Sequence, residues 1–309
     1  MIDIKPGTRL VIAHNPRSSR QKQVGEKVFA RLDAAGYHYE KLEVLQAPLA
    51  ENIAHLAPQI HAGDVIICAA GDGSAHAVMN SVIASQKPDV TLGFLAFGNF
   101  NDLPHTMNSR ASLQDPVTLL RDGNVKLARS LDVTTDGKHL RYALLYVTLG
   151  WTAKAAAHFD QSGVRERSHR GKTGLARSLV ALGMFYLKSR KNSLLPEFKI
   201  DNKIYHQTDI LIANSTHIAR LFHTRTRYYL TGKFLVRTLD VRTLLTNAGF
   251  LLSGLFTHIS GNKHRELVID FDTKSSVTLQ CDGEVVELSD CRQLRIDKSK
   301  QQLAILTTK

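Results

Sequence analysis

The strongest constraint on the fold is one stretch, Asp64 to Met107, in which two apolar runs each end in a glycine-containing loop. The first run, Val65–Cys68, leads into Ala70-Gly71-Asp72-Gly73-Ser74 and then into a helical pattern. The second run, Leu92–Phe97, leads into Gly98-Asn99-Phe100-Asn101-Asp102. Because the carboxyl ends of parallel strands meet at one edge of a sheet, we expect the two loops to lie side by side.

A strand that delivers glycines to the start of a helix is an arrangement that binds phosphate. Glycine lets the backbone approach the anion closely, and free N–H groups at the helix start point towards it. Asp72 would repel a phosphate unless a divalent cation lies between them, so Asp72 and Asp102 are candidate Mg²⁺ ligands. Simpler explanations stay open, since Gly-Asp-Gly alone is typical of a surface turn and Asp102 is equally well placed to cap a helix.

Composition places the chain among ordinary globular proteins of one or two domains, with 309 residues, 43% of them hydrophobic and 22% charged. Three cysteines without metal-ligand spacing predict no disulfide framework, and no secretory signal or membrane-spanning run is evident, so we expect a cytoplasmic protein. The net charge of +12 indicates an anionic partner. Residues 165–191 contain eight Lys or Arg and residues 220–242 contain six, which favours peripheral association with an anionic membrane surface.

Strands alternate with helical patterns up to residue 130, which predicts an α/β domain with a doubly wound, mainly parallel sheet and ligands at its carboxyl edge. From residue 131 to residue 293, short β-rich pieces separated by polar turns predict an antiparallel β-sandwich. A helical insertion is predicted at Gly171–Lys191, with leucines on one face. We therefore expect two domains, the first of residues 1–130 and the second of residues 131–293.

Four motifs follow one another along the chain: Asn15-Pro16-Arg17-Ser18, the two glycine loops, and Cys281-Asp282-Gly283-Glu284. Taken singly, the first and last are typical of ordinary turns. The ordered set resembles the diacylglycerol kinase catalytic family, which includes soluble bacterial lipid kinases and sphingosine kinases, over nearly the whole chain. The resemblance implies an N-terminal domain like those of NAD kinases and phosphofructokinases, a lipid-binding β-sandwich, and a tail, residues 294–309, that returns to the first domain.

The resemblance further implies transfer of the γ-phosphate of ATP, with Mg²⁺, to the hydroxyl of a diacylglycerol-like or related lipid alcohol. Glu284 is the implied general base, with Asp282 beside it. The implied metal ligands are Asp72 and Asp102. The implied nucleotide-binding residues are Asn15, Pro16, Arg17, Ser18, Ala70, Gly71, Asp72, Gly73, Ser74, Gly98, Asn99 and Asn101.

The chain departs from the family pattern at several positions. Ala77 replaces a glutamate, while Asn99 and Phe100 alter the second glycine loop. Lys233, within Tyr228–Leu235, stands where bacterial members carry an acidic loop for a structural Mg²⁺, so we expect that site to be absent. These departures keep two alternatives open, an NAD kinase-like phosphotransferase and a non-catalytic nucleotide- or lipid-binding protein. Nucleic-acid binding ranks last because no recognition motif supports it, and a homodimer is left open.

Overall fold

The computed structural model describes residues 8–18, 20–98, 101–161, 188, 195–218, 222–224, 226–240 and 258–309. The predicted helical insertion at Gly171–Lys191 and the basic segment 165–191 that contains it lie outside the described residues, apart from Lys188. The basic segment 220–242 is described except at residues 220–221, 225 and 241–242. Among the described helices, none is both long enough and apolar enough to cross a membrane.

The N-terminal sheet has six strands with helices on both faces. The strands are β1 (Leu10–His14), β2 (Glu40–Glu43), β3 (Val65–Ala70), β4 (Thr91–Ala96), β5 (Asn124–Ala128) and β18 (Leu303–Thr307). The helices are α1 (Gln21–Val24), which continues through a π-helical turn (Gly25–Phe29) into α2 (Ala30–Ala34), then α3 (Leu49–Leu56) with a 3₁₀ turn (Ala57–Gln59), α4 (Asp72–Ser85), α5 (Asp102–Met107) and α6 (Pro116–Asp122).

The strand order is β2-β1-β3-β4-β18-β5, and every neighbouring pair except β18–β5 is parallel. Strands β1 and β3 are buried along their whole length, as expected for parallel strands covered on both faces. The helix that follows β1 and the helix that follows β3 pack on opposite faces of the sheet, so the crevice between the ends of β1 and β3 is the topological switch point. Ligands of doubly wound folds bind at such a point.

The second sheet is antiparallel. Its strands are β6 (Leu131–Thr135), β7 (Lys138–Ala143), β8 (Tyr146–Gly150), β9 (Phe198–Ile200), β10 (Lys203–Tyr205), β11 (Asp209–Ala213), β14 (Phe234–Leu239), β15 (Asn262–His264), β16 (Glu266–Cys281) and β17 (Glu284–Lys298). Outside it lie α7 (Trp151–Gln161), a small pair formed by β12 (His217–Ile218) and β13 (Phe222–His223), and a 3₁₀ turn (Tyr228–Leu230).

The order of this sheet is β15-β14-β11-β8-β16-β17-β6-β7; β9 also pairs with β16, and β10 pairs with β9. The predicted fold class, a parallel α/β sheet followed by an antiparallel β domain, is confirmed. The sequence suggested two separate strands at Leu267–Phe271 and Ser276–Gln280. They form one long strand instead, because irregularities between Asp270 and Val277 let β16 bend while its pairing with β17 continues.

Helix α4 joins the two sheets. Residues 75–83 are all buried, although the sequence suggested a helix with only one apolar face, because the helix packs in the core that both sheets share. The Asn80 amide bonds the backbone of Tyr142 in β7 in both directions, with N···O distances of 3.1 and 2.9 Å. The middle of α4 is thereby held against the second sheet.

The chain crosses between the sheets at two adjacent places, after β5 and after β17. The tail was expected to return to the first domain from Leu294 onwards. Residues 294–298 still pair with β6, so the chain leaves the second sheet only after Lys298. Strand β18 then lies between β4 and β5 in the first sheet.

Candidate active site

The two glycine loops touch each other at the carboxyl edge of the parallel sheet. A Cβ atom added to Gly98 would lie 2.5 Å from the Cα atom of Gly71, so only glycine fits there without moving the backbone. The Asn101 amide closes the second loop on itself, since its Oδ1 accepts from the Gly98 N–H at 2.5 Å and its Nδ2 donates to the Gly98 carbonyl at 2.8 Å. Asn101 adopts a left-handed conformation, φ 55°, which this closed loop requires.

Asp72 binds the second loop directly. Its carboxylate accepts the backbone N–H of Asn101 at 2.8 Å and that of Asp102 at 2.9 Å, which satisfies two donors at the start of α5. The Asp72 carboxylate therefore stabilises the second glycine loop, a role that the Gly-Asp-Gly sequence did not predict. A carboxylate offers about four acceptor positions, so these two bonds leave it able to accept from a metal-bound water as well.

Asp102 is buried, with 4% of its surface exposed, and lies at the first position of α5. The Tyr146 hydroxyl lies 3.4 Å from Asp102 Oδ2. Burial raises the pKa of Tyr146 well above its usual value, and the nearby charges of Asp102, Asp282 and Asp72 raise it further. Tyr146 therefore keeps its proton and is a neutral donor among three carboxylates. No local pattern in the sequence distinguished this tyrosine.

The Asp282-Gly283 turn connects β16 and β17 and lies over α4. The buried Asp282 carboxylate accepts three backbone N–H groups, from Leu144 at 2.6 Å, Leu145 at 2.8 Å and Tyr146 at 3.0 Å. His76 Nδ1 lies 3.6 Å from the same carboxylate. These contacts hold the turn rigidly at its position but leave Asp282 enclosed.

Glu284 is the first residue of β17, and its carboxylate lies against Gly73 in the first turn of α4. A Cβ atom at Gly73 would overlap Glu284 Oε1 and lie 3.1 Å from Cδ, so a glycine is needed for this approach. Within the described part of the chain, no hydrogen bond or ion pair engages the half-buried Glu284 carboxylate. Of the two predicted catalytic acids, Glu284 is thus the accessible one.

The loop after β1 lies on the other side of the switch-point crevice. Asn15 Oδ1 accepts from the Arg17 N–H at 2.9 Å, and Ser18 Oγ accepts from the Arg20 N–H at 3.3 Å, so both polar side chains stabilise the turn. Pro16 lies within this turn and Arg17 is exposed. His14 is buried against Phe29, and burial lowers the pKa of its imidazole.

The structure brings together at one edge most of the residues predicted for the site. Ala70 ends β3, Gly71 precedes α4, and Asp72, Gly73 and Ser74 form the start of α4. Asn99 and Phe100 lie outside the described residues. Among the described residues, no group of three or more His, Cys, Asp or Glu side chains is arranged to hold a metal ion. Mg²⁺ in phosphoryl-transfer sites commonly uses one or two carboxylates together with phosphates and water, which Asp72 and Asp102 fit.

The second Mg²⁺ site implied by the resemblance does not fit the residues of this chain. The Tyr228–Leu235 segment has no acid, and Lys298 Nζ donates to the Tyr228 carbonyl at 2.8 Å and also to Asn214 Oδ1. The Lys298 amine therefore occupies oxygen acceptors at this turn that a divalent cation would otherwise use as ligands.

Comparisons with known proteins agree with this geometry. Residues 9–133 match the family model of the diacylglycerol kinase catalytic domain. Two solved structures from Bacillus anthracis str. Sterne are similar in fold, one of a protein provisionally named a diacylglycerol kinase and one named a diacylglycerol kinase. Their TM-scores are 0.67 and 0.65, each at 15% identity and covering 97% of this chain and 96% of the other.

At these identities the likeness to solved structures shows the fold alone. No curated protein matches the sequence. The family match covers the segment that holds the first three motifs, from the loop after β1 to the Asp72–Asn101 contact. Residues 9–133 thus confirm the resemblance to the diacylglycerol kinase catalytic family that the motifs predicted.

Proposed function

We propose that this protein is an ATP- and Mg²⁺-dependent lipid kinase that phosphorylates the hydroxyl of a diacylglycerol-like or related lipid alcohol. The observation that carries the proposal is the approach of Glu284 to Gly73. It joins a carboxylate from the second sheet to the helix start at which phosphate would bind. A base and an anion-binding helix terminus supplied by different sheets suit a transfer between two substrates.

The nucleotide would bind in the crevice between the loops after β1 and β3. Its phosphates would accept from the backbone N–H groups of Gly73 and Ser74, where the α4 dipole also favours negative charge. Asp72 and Asp102 would hold Mg²⁺, directly or through water, and the ion would offset the charge of the phosphates. Gly71 and Gly98 would keep the two loops close enough to enclose one nucleotide.

Glu284 would accept the proton of the lipid hydroxyl as its oxygen attacks the γ-phosphorus, while the bond to the ADP oxygen breaks. Asp282 is a positioning residue in this scheme, because its carboxylate is fully enclosed by the 144–146 N–H groups and His76. Tyr146 would keep Asp102 oriented. The products are ADP, a lipid phosphate and a proton that Glu284 releases to solvent.

The protein would bind its lipid substrate at an anionic membrane surface. The support is the excess of Lys and Arg in residues 165–191 and 220–242, together with exposed apolar side chains on β5, Val125 at 45% and Leu127 at 57%. Each cationic residue close to an anionic bilayer contributes about 1 kcal/mol of attraction, so a few suffice for reversible binding.

Transfer from γ-labelled ATP into a total lipid extract tests the proposal, with products separated by chromatography. We expect label in an organic-soluble product that depends on Mg²⁺, and none in NADP when NAD is added. Label in NADP alone would favour the NAD kinase-like alternative. ATP binding without transfer to any acceptor would favour a non-catalytic nucleotide-binding protein.

A further inference from the structure

A second cleft, away from the candidate active site, lies where the chain crosses between the two sheets. This hinge cleft, with a volume of about 640 Å³, is lined by the segments around Arg129 and 295–301 and by Tyr142, Gly232 and Arg265. Its size is within the range of about 300–1,000 Å³ typical of small-molecule sites. None of the residues assigned above to nucleotide, metal or base lines it.

The hinge cleft carries more cations than its own acids can balance. Its walls contain five cationic and three acidic side chains. All three acids are already paired. Arg295 lies 3.0 Å from Glu266 and 2.6 Å from Asp297, and His139 lies 2.8 Å from Asp132.

Four cations of the hinge cleft are left without a carboxylate. Among the described residues, no ion pair joins an acid to Arg129, Arg265, Lys298 or Lys300. With Lys298 protonated, the arginine and lysine charges exceed the carboxylate charges on the lining by two. Excess positive charge in a partly enclosed cleft favours the binding of an anion, because opposite charges attract more strongly where water is limited.

Lys298 and Arg129 are the two partly buried cations of the hinge cleft, and they lie close enough for their charges to interact. Lys298 donates to Tyr228 and Asn214, and Arg129 donates one N–H to the Ser299 carbonyl at 3.2 Å. Burial lowers the pKa of Lys298 to about 7, and the charge of Arg129 lowers it further. Both residues line the same ligand-sized space, and an anion bound there would offset the repulsion between their charges.

We propose that the hinge cleft binds a phosphate monoester, held by Arg129, Lys298, Arg265 and Lys300. A phosphate monoester carries about −1.5 to −2 charges at pH 7, which matches the excess of two on the lining. Arginine binds phosphate through two parallel N–H donors, a geometry that Arg129 and Arg265 on the cleft lining can supply. The phosphate monoester could belong to a lipid headgroup or to a free metabolite.

The test measures binding of glycerol 3-phosphate to the full chain by calorimetry, with glycerol as the uncharged control. Vesicles containing phosphatidic acid, compared with phosphatidylglycerol vesicles of equal charge, distinguish a lipid source from a free one. The double variant Arg265→Gln/Lys300→Gln removes two exposed side chains of the cleft, so the fold should be retained. Arg292→Gln, an exposed arginine of β17 outside the cleft, is the matched control.

We expect the double variant to bind the preferred probe at least about ten-fold more weakly and Arg292→Gln to bind it unchanged. In lysine-labelled protein, the NMR titration of Lys298 should move upwards in pH when the probe binds. Binding to phosphatidic acid vesicles in preference to phosphatidylglycerol vesicles, without binding of glycerol 3-phosphate, would support a lipid headgroup as the ligand. Binding of glycerol 3-phosphate without a preference for phosphatidic acid vesicles would support a free metabolite. Binding to neither, or equal weakening by Arg292→Gln, would overturn the proposal. No arm of the test requires ATP or turnover, so its result is independent of the proposed kinase activity.

Discussion

Replacing Gly73 by alanine should slow catalysis while leaving the stability of the fold nearly unchanged. The added Cβ would overlap Glu284 Oε1 and lie 3.1 Å from Cδ. Because these atoms end a flexible side chain, the carboxylate can swing aside at little cost, and alanine gains up to about 1 kcal/mol of helix propensity over glycine. A displacement of about 1 Å at a reacting group can cost about 100-fold in rate. We therefore expect kcat to fall about 100-fold while the free energy of unfolding changes by less than about 1 kcal/mol.

The assay is phosphoryl transfer from labelled ATP to lipid, with unfolding in urea and ATP affinity measured on the same samples. Gly25→Ala is the matched control, since Gly25 is also helical and no atom lies within 4 Å of its added Cβ. Shortening the acid in Gly73→Ala/Glu284→Asp should recover part of the lost rate. A full rate in Gly73→Ala, or an equal loss in Gly25→Ala, would refute the assigned contact.

Four further outcomes follow from the same contacts and charges. Asp282→Ala leaves three backbone N–H groups without their acceptor and should lower the free energy of unfolding in urea by about 3–5 kcal/mol, whereas a loss below about 1 kcal/mol would contradict its positioning role. Asp72→Asn should abolish transfer while the fold is retained by circular dichroism, and an unchanged rate would make the glycine loop a plain turn. Burial raises the pKa of Asp209 to about 7, so the folded state keeps a proton that the unfolded chain releases above about pH 4. Stability should therefore fall by up to about 4 kcal/mol as pH rises from about 4 to about 7, and Asp209→Asn should remove this fall. The chain should sediment with phosphatidylglycerol-rich vesicles at low salt and be released near 1 M salt, where the Debye length is about 3 Å; equal binding to neutral vesicles would contradict this.

The features that could be predicted from the sequence depend on local patterns. Buried apolar runs such as Val65–Cys68 indicate parallel strands, and glycines directly after them indicate loops at the sheet edge. The contact between Gly71 and Gly98 follows from this logic, because both residues end neighbouring strands. The same reasoning could not separate a catalytic from a structural acid at Asp282-Gly283-Glu284, since both occupy one turn.

The rest of the site depends on contacts between residues far apart along the chain. The Asp72 carboxylate accepts N–H groups thirty residues away, and Asp282 accepts those of residues 144–146. Tyr146 lies in the site only because its strand, β8, pairs with β16. These contacts form because α4 packs between two sheets. The hydrophobic periodicity within a single segment does not predict them.

The claim that Glu284 acts on the acceptor hydroxyl is tested most directly by Glu284→Gln. The amide keeps the size of the side chain but cannot accept a proton, so the variant should lose about 10²–10⁴-fold in phosphoryl transfer while its Kd for ATP stays within about two-fold of the parent value. Transfer at the parent rate, or a loss of ATP affinity equal to the loss of rate, would contradict the role of Glu284 as the base.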